Sequence, residues 1–238
     1  MNTTPLPRIG VLGGMGPLAT ADFLAKLARA TPAARDQDHF PVTVDSTPQI
    51  PDRVAALEGR GADPLPDLAA ATRRLHAAGC NLIAMPCNTA HLWYERLAPL
   101  SALPVVHIAD AVAACLGDAR TIGLIGTSAT LEHGLYQKRI GPGRRWLLPD
   151  AGEMRALIVP GIAAVKTGDL AAGKALLGQA VRQLAARGAD IVVLACTEIP
   201  LVVGATDVVV PLVDATLELA RHTIAHATRM RAGLRAAA

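Results

Sequence analysis

The sequence predicts an α/β fold of two pseudo-symmetric lobes, each a parallel sheet flanked by helices, facing each other across a cleft. Three observations carry this expectation. Short apolar runs alternate with helical stretches along the whole chain. Most of those runs are continuously apolar, which marks parallel strands covered on both faces. The pattern also restarts near the middle of the chain, in similar letters.

Taken in order, Arg8–Leu12 is a short apolar run ending in glycines and predicts a buried strand. Leu18–Ala30 predicts a helix, with Pro17 suited to its first turn. Pro41–Ser46 predicts a second strand, and Pro66–Ala78 a helix stopped by Gly79. Asn81–Met85 is a third strand, followed by a helix from Thr89 to Ala98. Pro104–His107 is a fourth strand, with a helix over Ala109–Leu116.

The second half repeats the scheme. Arg120–Ile125 is a strand, Ala129–Ile140 a helix and Arg145–Leu148 a strand. Glu153–Lys166 is helical but broken near Pro160–Gly161, and Leu170–Arg187 is a long helix stopped by Gly188. Ile191–Ala195 and Asp207–Val210 are strands, and Val213–Arg235 is the terminal helix.

The repeat is direct. Arg8-Ile-Gly-Val-Leu-Gly13 matches Thr121-Ile-Gly-Leu-Ile-Gly126, and Asn81-Leu-Ile-Ala-Met-Pro-Cys-Asn-Thr89 matches Asp190-Ile-Val-Val-Leu-Ala-Cys-Thr-Glu198. Pro104-Val-Val-His-Ile-Ala-Asp110 matches Val208-Val-Val-Pro-Leu-Val-Asp214. The order and spacing are nearly constant, and the period is too long for a solenoid. The expected division is residues 1–112 with 213–238 as one lobe, its C-terminal helix returning to it, and residues 113–212 as the other.

Composition narrows the function. The 238 residues are 51% hydrophobic but only 3% aromatic, so the core is built from Ala, Val, Leu and Ile. A net charge of +3, with no basic run interleaved with aromatics, argues against nucleic acid as a partner. Arg221, Arg229, Arg231 and Arg235 suit the solvated face and C-terminal charge of a last helix. No apolar run approaches the roughly 20 residues of a membrane span. The polar start Met1–Arg8 runs straight into a strand, so neither signal peptide nor membrane partner is expected, and the location is cytoplasmic. Cys80, Cys87, Cys115 and Cys196 form no C-x-x-C pair and are expected as free thiols.

Ligands of parallel sheets bind beyond the carboxyl ends of the strands. Cys87 and Cys196 each follow a strand at equivalent places in the repeat, so facing lobes put both thiols in one cleft and the active site between the lobes. Opposed thiols suit a planar carbanion approached from both faces, one removing a proton and the other delivering one. Inversion at carbon is the natural product. A helix N-terminus and the polar pairs Asn88-Thr89 and Thr197-Glu198 are expected to lower the thiol pKa or to hold a carboxylate. Taken alone, each cysteine reads better as an ordinary buried core residue, and the symmetric pair at two strand ends reverses that. Cys80 and Cys115 keep that bland role.

The chain resembles the aspartate/glutamate racemase family, and its aspartate-acting branch most. The resemblance rests on Ile9-Gly-Val-Leu-Gly-Gly-Met-Gly-Pro-Leu-Ala-Thr20, Pro48-Gln-Ile-Pro-Asp-Arg53, Pro86-Cys-Asn-Thr-Ala-His91, Gly126-Thr127, Val165-Lys-Thr-Gly168 and Cys196-Thr-Glu-Ile-Pro200. It implies a cofactor-independent enzyme that interconverts L- and D-aspartate, or glutamate, by a two-base mechanism with Cys87 and Cys196. It also implies a homodimer. By the same resemblance Arg53 and Lys166 bind the distal carboxylate. Asn88, Thr89 and Ala90 hold the α-carboxylate, with Thr127 and Thr197 doing equivalent work in the second lobe. Met15 and Gln49 line the pocket. Glu198 and His91 orient the thiols or the ammonium, or act as a cap.

Other chemistries are less well supported. Gly14-Met-Gly-Pro-Leu-Ala19 fits a dinucleotide fingerprint, but the acidic residue due at the end of a second strand is not clearly present. A metal site on Cys87, His91 and Cys196 lacks a close ligand pair. Lys166 as a pyridoxal-phosphate lysine lacks a phosphate-cradling loop. A small-ligand binding protein needs no paired thiols. Maleate isomerase, hydantoin racemase and malonate decarboxylase chemistries share this scaffold, and the Arg53/Lys166 pair favours an acidic amino acid over them.

Overall fold

The structure is a computed structural model that describes residues 6–236. Residues 1–5, which include most of the polar start, and the side chain of Arg235 lie outside the described residues.

The first lobe runs β1 (Ile9–Gly13), α1 (Pro17–Ala30), β2 (Val42–Ser46), α2 (Arg53–Leu57), α3 (Leu65–Ala77) and β3 (Leu82–Ala84). It continues through α4 (Tyr94–Leu97), β4 (Val105–Val106) and α5 (Ile108–Ala113). The second contains β5 (Thr121–Gly126), α6 (Ser128–Glu132), α7 (Leu135–Ile140), β6 (Arg145–Leu147), α8 (Ala151–Glu153) and α9 (Val159–Lys166). After it come α10 (Leu170–Ala186), β7 (Ile191–Ala195), β8 (Leu212–Asp214) and α11 (Ala215–Ala236).

Two four-stranded, all-parallel sheets result, ordered β2-β1-β3-β4 and β6-β5-β7-β8. The topology is the same in both, as the repeat requires. Even the strand entrances correspond. Asn81 Oδ1 accepts from the Arg8 N–H at 2.7 Å, and Asp190 Oδ2 accepts from the Arg120 and Thr121 N–H groups at 2.9 and 2.8 Å.

The aliphatic composition is spent on three packed regions. One joins the inner faces of both sheets and includes Val11, Phe23, Leu124, Tyr136 and Leu219. The first lobe has its own outer core around Leu12, Leu68 and Met85, and the second has one around Ile125, Leu177 and Leu194. α11 lies against α1 and α5. Among the described residues no helix is long and apolar enough to cross a membrane.

Several local expectations are corrected. Asp207–Val210 is not a strand; β8 lies further on, with Leu212 paired to Val192. Asp207 instead closes a turn, accepting from the Gly204 N–H at 2.8 Å and pairing with Lys174 at 2.9 Å. The last helix starts at Ala215 because Asp214 caps it, accepting from the Thr216 and Leu217 N–H groups.

Two helices expected to be continuous are interrupted, and a third, expected to break near Pro160–Gly161, breaks just before them. Ala129–Ile140 splits into α6 and α7 at Gly134, whose φ is +62°. Thr89–Ala98 becomes a 3-10 turn over Thr89–Trp93 followed by α4. The break before Lys166 is a π turn over Met154–Ile158, next to Pro160, which has no N–H to give the preceding turn. α2 was not anticipated, although Asp52 is an ordinary helix cap whose carboxylate accepts from the Ala55 N–H at 2.8 Å.

Candidate active site

Cys87 and Cys196 sit just past the carboxyl ends of β3 and β7. Both are buried, at 6% and 4% exposure, yet both line one small cavity where the lobes meet. Behind Cys87 the chain is pinned by His91. Its Nδ1 lies 2.8 Å from the Cys87 carbonyl, and its Nε2 accepts from the Ile108 N–H at 3.2 Å. That pairing makes Nδ1 the donor and the ring neutral. Burial agrees, pushing the His91 pKa down to about 4.

The cavity walls are polar and come from both lobes. The Thr89 hydroxyl from the first lobe lies 3.0 Å from that of Thr127 and 3.2 Å from that of Thr130 in the second. Thr127 also caps α6, accepting from the Thr130 N–H. The Tyr136 hydroxyl bonds Asn88 Oδ1 across the same seam. Asn88 Nδ2 is buried without a partner among the described residues, leaving a donor in the cavity wall. Such a group is costly unless a ligand or water satisfies it.

Two cations enter the same cavity. Arg53 opens α2, and its Nη1 donates to the carbonyls of Ile50 and Pro51 at 3.0 and 2.9 Å. Its Nε is buried with no partner among the described residues. A guanidinium so clamped, with a donor to spare, is set for an anion. Lys166 ends α9. This helix is placed by close contact with α10. A Cβ on Gly161 would lie 2.7 Å from Leu177 Cγ, and one on Gly173 would lie 2.4 Å from Val165 Cγ2.

The thiols differ electrostatically. Burial pushes Cys87 up, while Arg53 and Lys166 pull it back. Cys196 is held well above the usual thiol range, by burial first and then by Glu198. Its Sγ donates to Glu198 Oε2 at 2.9 Å, and the Thr197 hydroxyl donates to the same oxygen at 3.0 Å. The expectation of lowered thiol pKa values is therefore overturned. The segment after Cys87 opens as a 3-10 turn, Thr89–Trp93, before the single turn of α4, and Cys196 is followed by the 3-10 turn Ile199–Leu201, so no long α-helix begins at either sulfur. Burial then decides the direction.

Most of the residues singled out in the sequence converge here. Met15, Arg53, Cys87, Asn88, Thr89, Thr127, Lys166, Cys196, Thr197 and Glu198 all line the cavity. Gln49 is exposed in the turn before α2, and Ala90 is fully buried behind the wall, its N–H directed to the Cys87 thiol. His91 holds the Cys87 backbone rather than a thiol. Asp52 and Val54 also line the cavity and were missed. The capping pattern around Asp52 was the signal that could have found them.

The glycines after β1 make a tight turn. Gly14 has φ +90°, and a Cβ there would lie 2.5 Å from the Thr47 backbone. Its N–H donates to the Thr20 hydroxyl at 2.8 Å, which turns the chain so that Met15 reaches the cavity. Among the described residues no group of three or more His, Cys, Asp or Glu is placed to hold a metal ion.

Twin parallel lobes meeting at a polar, thiol-lined cleft define a two-lobed α/β fold of the racemase type. The chain belongs to the Asp/Glu/hydantoin racemase family, which matches residues 12–223. The aspartate racemase of Picrophilus torridus is 28% identical, covers 93% of this chain and 94% of its own, and superposes with a TM-score of 0.85. The broad specificity amino-acid racemase RacX of Bacillus subtilis is 27% identical over 91% of this chain and 96% of its own length. The glutamate racemase of Francisella tularensis, solved with D-glutamate, shares the fold at a TM-score of 0.65 and 16% identity, with 98% of this chain and 84% of that one covered.

Proposed function

We propose that the protein racemises an acidic amino acid, aspartate or glutamate, without a cofactor, using Cys87 and Cys196 as opposed acid and base. One observation carries this reading: two thiols at equivalent strand ends share a cavity with Arg53 and Lys166. The cations suit the distal carboxylate. Asn88 Nδ2, Thr127 and Thr197 suit the α-carboxylate. One sulfur, as thiolate, takes the α-proton and forms S–H, leaving the C–H pair as a carbanion conjugated to the carboxylate. The other S–H gives its proton to the opposite face and becomes the thiolate. Arg53 and Lys166 favour the ionised form of Cys87, and Glu198 is placed to accept the Cys196 proton.

The division into residues 1–112 with 213–238 against 113–212 belongs to the same proposal, supported by α11 lying on α1 and α5. So does a cytoplasmic homodimer. Four free cysteines suit a reducing compartment. The exposed Val42 and Val44 on edge strand β2 suit a subunit contact that sedimentation would detect.

The test uses L-aspartate and L-glutamate in deuterated water, followed by resolution of the enantiomers. The D-isomer should appear with deuterium at Cα. Cys87→Ser and Cys196→Ser should each lower racemisation by roughly 100-fold or more, the scale of acid–base catalysis. Absence of D-isomer from both substrates overturns the substrate assignment. Cα exchange that persists in both variants overturns the thiol mechanism.

A further inference from the structure

Behind Cys87, on the far side of His91, lies a second pocket of about 350 Å³ to which neither lobe alone contributes all the walls. Its floor is His91 and His107, its sides are Leu57, Leu92 and Leu135, and Lys138 stands at its rim. His107 is 5% exposed. Its Nδ1 accepts from the Ala109 N–H at 3.1 Å, so the ring proton is on Nε2. That Nε2–H finds no acceptor among the described residues, although the ring lines the pocket. The donor is open to the pocket, where an acceptor on a ligand can meet it.

The charged side chains lining the pocket are Glu95, Lys138 and Arg139, and how they pair indicates the sign of the ligand. Arg139 is already engaged, with Asp110 at 2.7 and 2.8 Å and Glu95 at 3.3 Å. Lys138 makes no ion pair among the described residues. Burial first, then the adjacent His91 ring and the Arg139 cation, keep His107 neutral, with its pKa pushed down to about 3, so it remains a donor of one proton. A neutral donor at the floor and a cation at the rim favour an acceptor-rich, negatively charged group. The leucine walls favour an apolar body beside it.

We propose that this pocket is a second ligand site, for a small organic anion with an apolar body, held by His107 Nε2–H and Lys138. Its position gives such a ligand a route to the cleft. His91 forms its floor and holds the Cys87 carbonyl, and Leu57 ends the helix that Arg53 begins. The site does not depend on which substrate the cleft takes.

The test is histidine side-chain NMR of the whole protein titrated with benzoate, with inorganic phosphate as the anion lacking an apolar body. Benzoate should shift the His107 and His91 ring signals in the wild type. Lys138→Glu, an exposed position, should weaken that response at least about tenfold, while Lys166→Met in the cleft leaves it unchanged. The proposal is overturned if benzoate leaves His107 unmoved, if Lys138→Glu responds like the wild type, or if Lys166→Met abolishes the response. An equal response to phosphate overturns the apolar body.

Discussion

The Cys196 thiol donates to the Glu198 carboxylate at 2.9 Å, whereas the charges that pull on Cys87 are the cations Arg53 and Lys166. Two sulfurs related by the repeat thus have unlike electrostatic surroundings. Cys196 is a protonated thiol with its acceptor in place, and the first lobe has no equivalent because Asn88 and Thr89 stand where Thr197 and Glu198 do. The pseudo-symmetry positions the thiols, and the residues after them set their protonation.

Glu198→Gln should therefore lower the Cys196 pKa. The glutamate raises it by like-charge repulsion of the thiolate and by accepting the thiol proton. Glutamine retains an acceptor but removes the charge. The alkylation rate of Cys196, followed by mass spectrometry against pH, should rise at lower pH in the variant. Cys87 should move the same way but less, since burial dominates there and the Arg53 cation offsets the Glu198 charge. An unmoved Cys196 profile would mean that burial alone holds its proton.

Arg53→Lys should erode selectivity for a dicarboxylate rather than catalysis as such. Lysine keeps the charge but cannot both reach the Ile50 and Pro51 carbonyls and present a planar fork. Losing one charged hydrogen bond costs about 1.5–3 kcal/mol, roughly 10- to 100-fold in kcat/KM for aspartate. Alanine has no distal carboxylate, so its slower turnover should barely change. An unchanged aspartate-to-alanine ratio would remove Arg53 from substrate recognition.

Much of this site was legible in the sequence because strand ends in a parallel sheet form one edge, and the repeat fixed which strand ends correspond. Cys87 and Cys196 needed only that rule. The position of β8 was less legible. Val208–Val210 carries the better strand letters, yet Val209 is 98% exposed and Leu212 makes the ladder. The Asp207 turn, closed by Lys174 from a distant helix, decides this, and no local pattern encodes that pairing. Thiol pKa direction was illegible for a similar reason. It depends on how deeply the closed lobes bury the sulfurs, which is a tertiary quantity.

Acid should destabilise the protein through two buried imidazoles. His91 and His107 have native pKa values near 4 and 3, against about 6.5 for an unfolded histidine. Between these values the unfolded chain binds more protons than the native one. Stability is thus fully present above pH 6.5 and is lost as pH falls toward 4 and then 3. Urea midpoints across that window should fall with a slope approaching two protons. His91→Gln should flatten the slope by about one proton. A stability profile that is level from pH 7 to 5 would contradict the neutral, buried assignment of these rings.

Lys26 should prove a structural tie between α1 and the junction of β8 with α11. It lies on α1 with its side chain 10% exposed, and it pairs with Asp22 and, at 2.6 Å, with Asp214 at the end of β8. Its ammonium also donates to the Thr216 hydroxyl at 2.9 Å. The ammonium thus lies against two carboxylates and a hydroxyl, so its buried charge is paired. Lys26→Met keeps the stem packed and leaves two carboxylates facing each other. Breaking a buried pair in this way costs about 3 kcal/mol, which the urea midpoint would register. Lys26→Met combined with Asp22→Asn removes one of the stranded charges and should recover part of the loss. Equal stability of the single and double variants would show that the carboxylates find water once the lysine is gone, and that the tie contributes geometry rather than free energy.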